Sequence, residues 1–142
     1  MSLLVFQHTP TEGPAVLGEV LQSQGHRLRT VRLYADDPVP ADLDDVDGVL
    51  SMGGPMNVDQ ADRYPWIDQE MQYLKAAHGA KVPIVGVCLG AQLIGAALGG
   101  QVAAMAKPEI GWGPINLAFP GTTDTLIAGM GWQTVQFHLH GQ

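Results

Sequence analysis

The sequence predicts an α/β fold, a mostly parallel sheet with helices on both faces. Three observations carry that expectation. Short apolar runs, Leu3-Leu4-Val5-Phe6, residues 46–51 and residues 82–87, read as strands buried on both sides. Segments between them repeat apolar residues at helical spacing. Gly- and Pro-containing turns separate the pieces, giving strand, helix, strand, strand, helix, strand, helix.

The first strand closes at Thr9-Pro10-Thr11-Glu12-Gly13-Pro14, a stretch rich in turn formers. Val16, Leu17, Val20 and Leu21 then mark a helix that Gly25 ends. From residue 27 to 33, Leu28, Thr30 and Arg32 alternate with Arg29, Val31 and Leu33, which suits a strand near a sheet edge. Residues 36–45 are acidic and contain Pro, and read as a solvated loop. The run ending at Ser51 enters the turn Gly53-Gly54-Pro55. Pro65 can open the next helix, because the N–H it lacks has no partner there. Trp66, Ile67, Glu70, Met71, Leu74 and Ala77 continue that helix. A further strand turns at Cys88 into a helix over residues 89–98, stopped by Gly99-Gly100. Beyond this, residues 101–105, 110–119 and 134–139 read as strands, with at most a helical turn around Leu126.

The totals narrow the classes of function. A length of 142 residues suits one compact domain, expected to span residues 1–142. With 7 basic and 14 acidic residues the net charge is -7, which disfavours nucleic acid and anionic membranes as partners. A single cysteine rules out an internal disulfide and fits a reducing compartment. The first residues carry no basic start, and their apolar run is too short for a signal peptide or a span. A cytoplasmic location is the expectation. No His, Cys and carboxylate grouping has metal-ligand spacing and no phosphate-binding glycine motif occurs, so neither a metal nor a cofactor is expected.

Gly86-Val87-Cys88-Leu89-Gly90 carries the chemistry. Gly-x-nucleophile-x-Gly between a strand and a helix is a nucleophile elbow, with glycines where side chains would clash. The helix N-terminus favours a thiolate, and the Leu89 N–H would point toward a developing oxyanion. A lone cysteine after an apolar strand is more often a small buried hydrophobe. Here the sole cysteine falls on the elbow position with both glycines present, which favours the catalytic reading. Gly53-Gly54-Pro55 follows another predicted parallel strand, and ligand sites gather at the carboxyl ends of such strands. That turn can offer a backbone N–H to the same oxyanion, although an ordinary turn would use the same residues.

Several segments together resemble the class I glutamine amidotransferases, especially small stand-alone proteins related to the amidotransferase domain of GMP synthase. They are Gly53-Gly54-Pro55-Met56-Asn57-Val58, Tyr64-Pro65-Trp66-Ile67 with Glu70, and residues 83–93 around Cys88, followed by Ala97-Leu98-Gly99-Gly100. Glu12-Gly13-Pro14, Glu109-Ile110-Gly111-Trp112 and Phe137-His138-Leu139-His140-Gly141 agree, so the likeness runs almost end to end. The resemblance implies a flavodoxin-like sheet and a Cys88 attack on the side-chain amide of glutamine, with ammonia leaving and a thioester hydrolysed by water. It implies an oxyanion hole from the N–H groups of Gly54 and Leu89, and substrate contacts from Gly53 and Gln92. The implied partners are glutamine or a γ-glutamyl compound and a separate ammonia-accepting enzyme.

One part of the pattern departs. The family supplies its base from a late His-x-Glu motif, often within Gln-Phe-His-Pro-Glu, whereas Leu139-His140 follow Gln136-Phe137-His138 here. No helical segment precedes this run, a Gly follows His140, and no acid follows either histidine. It therefore reads as an earlier family element, with the His-x-Glu pair expected beyond residue 142 and the C-terminal part of the domain missing. Such a chain would expose apolar surface and tend to self-associate or depend on a partner. Two other readings stand beside the amidotransferase: a non-catalytic remnant that keeps the pocket without the base, and a γ-glutamyl hydrolase on the same fold. His8 is expected in a structural or hydrogen-bonding role, and His26 and His78 at a turn and a helix end.

Overall fold

The computed structural model describes residues 1–127 and 129–141, which form two compact units, Met1–Val102 and a second beginning at Ala103. The first contains β1 (Ser2–Gln7), α1 (Ala15–Ser23), β2 (Arg27–Arg32), β3 (Gly48–Ser51), α2 (Trp66–Gly79), β4 (Ile84–Gly86) and α3 (Leu89–Ala97). The four strands are parallel in the order β2-β1-β3-β4. This is the doubly wound arrangement the sequence predicts, with β2 at an edge.

Period-two alternation places successive residues of the central strands in two different cores. Leu4, Phe6 and Val49 pack with Ile67 and Leu74 of α2 and Leu89 and Leu93 of α3. Val5, Leu50 and Met52 face the other way, against Leu21 of α1 and Leu28 of β2. Burial on both faces explains why β1 and β3 read as unbroken apolar runs. Phe6 and Tyr73 meet edge to face with ring centroids 5.3 Å apart, fixing α2 over β1.

The second unit is an antiparallel pair, β5 (Glu109–Asn116) and β6 (Gln133–His140). Ile110 pairs with Leu139 and Trp112 with Phe137, yet all four side chains are exposed. Residues 101–105 form no strand, contrary to the sequence expectation. Met105 donates one backbone bond to the Gly141 carbonyl, and the alanines of Gln-Val-Ala-Ala-Met favour a strand weakly. Among the described residues no helix is long and apolar enough to cross a membrane.

Candidate active site

Three strands of the first unit deliver their following residues to one end of the sheet. His8 follows β1, the Gly53-Gly54 turn follows β3, and Cys88 follows β4. Parallel register places these carboxyl ends side by side, since Phe6 pairs with Ser51 and Ser51 with Gly86.

Cys88 has φ 52° and ψ -112°, a strained conformation for a residue with a Cβ, and its side chain is exposed. It is therefore no buried hydrophobe. Both flanking glycines are sterically required. A methyl group at Gly86 would sit 2.5 Å from the Ala91 nitrogen, and one at Gly90 would collide with the Ser51 carbonyl. That close approach seats the elbow on β3. The Val87 N–H donates to the Ser51 carbonyl at 2.9 Å, and the Gly90 N–H to that of Met52 at 3.0 Å.

The Gly-Gly turn lies against the elbow. A Cβ placed on Gly53 would lie 3.7 Å from that of Cys88, and one on Gly54 would lie 3.0 Å from the Leu89 side chain. Among the described residues, no backbone carbonyl accepts from the Gly54 or Leu89 N–H. The turn and the elbow, the two segments named in the sequence, thus lie side by side. Gln92 stands one turn into α3, its N–H bonded to the Cys88 carbonyl, and is half-buried.

Beneath the turn runs a polar network that reading the sequence did not assemble. His8, Ser51 and Glu70 are all fully buried. His8 Nδ1 lies 3.1 Å from the Gly53 carbonyl oxygen and Nε2 lies 2.8 Å from Glu70 Oε2, while Ser51 Oγ donates to Glu70 Oε1 at 2.6 Å. Trp66 stacks on the imidazole, with centroids 5.0 Å apart. Burial alone would lower the imidazolium's pKa. The hydrogen bond and charge of Glu70, with the Gly53 and Met52 backbones, outweigh that and raise it above 6.5. The sequence signal was present: Glu70 occupies the apolar stripe Ile67, Leu74, Ala77 of α2, where a carboxylate needs a buried partner.

Glu12 is also drawn to the site. Its Oε2 lies 2.7 Å from the Gly53 Cβ position, on an exposed loop, so a negative charge borders the turn beside Cys88.

In the second unit, Glu109 faces both strand-end histidines across the ladder. Its Oε2 is 3.4 Å from His138 Nδ1 and 3.1 Å from His140 Nε2. The three ligand atoms lie within 4.8 Å of one another, a grouping able to hold a divalent cation. Linear spacing concealed this trio, because strand pairing brings together Glu109 and His138, far apart along the chain.

An exposed cysteine between a strand and a helix, flanked by two sterically required glycines, has the backbone form of a nucleophile elbow. Comparison with known proteins gives the family. The class-I glutamine amidotransferase family matches residues 15–141, and the chain belongs to it. A glutamine amidotransferase-like protein of Salmonella typhimurium, YfeJ, is 33% identical over 122 residues, covering 84% of this chain and 51% of that protein. One subunit of the glutamine-hydrolysing GMP synthase of Sulfolobus acidocaldarius is 34% identical over 104 residues, 72% of this chain and 50% of that one. The chain thus spans about half the length of these relatives. The crystal structure of a glutamine amidotransferase from Methylobacillus flagellatus superposes with a TM-score of 0.89 at 30% identity, covering 99% of this chain and 55% of that one. A Thermotoga maritima amidotransferase gives 0.88 at 19% identity, covering 99% of this chain and 60% of that one, a likeness of fold.

Proposed function

We propose that the site hydrolyses the side-chain amide of glutamine through a thioester on Cys88. The strained, exposed Cys88 beside the Gly53-Gly54 turn carries this reading. The Cys88 sulfur attacks the amide carbon, and the carbonyl oxygen gains the negative charge. The N–H groups of Gly54 and Leu89 receive that oxyanion, an interaction worth about 3 kcal/mol per donor in comparable sites. Collapse expels the amide nitrogen, protonated, as ammonia. Water then attacks the thioester, releasing glutamate and the thiol. Gly53 and Gln92 hold the substrate, and the Glu12 carboxylate receives its α-ammonium group. In the chain completed with the remainder of a relative's domain, replacing Glu12 by Gln should raise KM for glutamine roughly tenfold with kcat preserved, the size expected for one charge-assisted hydrogen bond. An unchanged KM would remove Glu12 from this role.

Attack needs a base. His8 cannot serve: it is fully buried, with both ring nitrogens committed. We place the base in the part of the family domain that these residues do not cover, residues 1–142 being read as a portion of one amidotransferase domain. The similar GMP synthase subunit of Sulfolobus acidocaldarius supports a separate protein as acceptor of the ammonia.

Ammonia release from glutamine by the 142-residue chain, with Cys88→Ala as control, tests this reading. No turnover from folded protein, with turnover once the remainder of a relative's domain is joined on, is the expected result. Cys88-dependent turnover by the 142 residues alone would overturn the placement of the base. Release that Cys88→Ala leaves intact would overturn the thioester. Running γ-glutamyl dipeptides beside glutamine tells an amidotransferase from a γ-glutamyl hydrolase.

A further inference from the structure

Both ring nitrogens of His8 face oxygen atoms, and one of those oxygens can only accept. The Gly53 carbonyl has no proton to give, so Nδ1 must carry one. Glu70 completes the other side, and Ser51 satisfies its second oxygen. Stacking on Trp66, at an interplanar angle of 20°, restrains ring rotation. The imidazole is thus a fixed donor aimed at one peptide group.

That peptide is the one joining Gly53 to Gly54. In a trans peptide the C=O and N–H point in opposite directions, so whatever fixes the Gly53 carbonyl also fixes the Gly54 N–H. Two consecutive glycines would otherwise let the unit rotate at little steric cost, bringing a carbonyl where an oxyanion has to sit. The turn is sandwiched: a Cβ on Gly54 would lie 3.1 Å from the His8 Cβ on one side and 3.0 Å from the Leu89 side chain on the other.

We propose that His8, braced by Glu70 and Ser51, is a positioning residue that pins the Gly53 carbonyl so that the Gly54 N–H faces Cys88. This rests on Cys88 as nucleophile with the Gly54 and Leu89 N–H groups as its oxyanion donors. His8 touches no reacting atom and acts through the peptide alone.

The test uses the chain's single thiol. Acetylation of Cys88 by 4-nitrophenyl acetate passes through an oxyanion, whereas alkylation by iodoacetamide does not. The ratio of the two rates, set against N-acetylcysteine, therefore reports the oxyanion hole separately from thiol reactivity. His8→Asn puts an amide nitrogen where Nδ1 was and still reaches the Gly53 carbonyl. His8→Gln puts its amide nitrogen where Nε2 was, reaching Glu70 but not Gly53. His8→Asn should hold the ratio within about fivefold, and His8→Gln should lower it about 100-fold, the loss typical of one missing oxyanion donor. Equal behaviour of the two variants would overturn the proposal, since a structural role alone predicts it. A wild-type ratio no higher than that of N-acetylcysteine would sink the oxyanion-hole reading as well. A second measurement needs no substitution: two-bond proton–nitrogen spectra of the wild-type imidazole must show Nδ1 protonated. An unprotonated Nδ1 would also refute the assignment.

Discussion

At the scale of single residues, the elbow is defined by what cannot be present. Gly86 and Gly90 are adjacent to backbone, which cannot swing aside as a side chain could. Gly86→Ala should therefore cost about 3 kcal/mol, at the upper end of overpacking penalties, with loss of Cys88 reactivity. Gly79, at the end of α2, has open space around its Cβ position and no positive φ. Gly79→Ala should instead stabilise by up to about 1 kcal/mol through helix propensity. Urea denaturation of the two variants checks the contrast, and similar destabilisation by both would refute it. The elbow was legible in the sequence because its glycines are spaced along the chain by a local steric rule. Glu12 was visible only as part of a family likeness, since its approach to Gly53 depends on how a loop folds back.

At the scale of elements, the fold follows from patterning with few exceptions. Runs buried on both faces became β1 and β3, and the alternating run became edge strand β2. Residues 82–87, expected buried on both sides, gave instead the other edge strand, β4. Val85 and Val87 are exposed because, among the described residues, no strand covers its outer side. Residues 101–105 failed as a strand because an apolar run needs a partner as well as hydrophobicity. The buried network is the opposite case: it joins the end of β1, the end of β3 and the middle of α2, segments that no local pattern relates. Its energetics are testable by pH. The folded His8 pKa is raised above 6.5, so the proton it holds stabilises the fold fully below about pH 6.5. That contribution is lost as pH rises through the higher folded value. The stability gap between wild type and His8→Asn should accordingly narrow from pH 6 to pH 9 in urea titrations. A gap that widens with pH would contradict the assignment.

At the scale of the whole molecule, the family and the parallel sheet agree with the sequence reading, while the span is about half that of the relatives. Apolar side chains stand uncovered in both units. Val85 on β4 is exposed, as are Ile110, Trp112, Val135, Phe137 and Leu139 on β5 and β6. Pairing of Ile110 with Leu139 and Trp112 with Phe137 makes the latter a continuous patch. The 142-residue chain should self-associate at micromolar concentration in sedimentation velocity, and Trp112→Gln with Phe137→Gln should weaken that association. A concentration-independent monomer would contradict this.

The wide separation of the site's parts along the chain bears on when reactivity first arises. His8 meets Gly53 across 45 residues and Glu70 across 62, with the elbow later still. Each contact closes a long loop, and the entropy of closing it is lost before any packing is gained. A nascent chain that has emerged only through β3 has a turn but no thiol. A collapsed chain with an unpaired β1 has a thiol but no imidazole under the turn. Under the proposed function, the protein therefore passes through its assembly without an oxyanion hole beside Cys88, and that hole forms only as these segments lock together. Cys88 acylation during refolding should lag behind the recovery of helix and of core fluorescence.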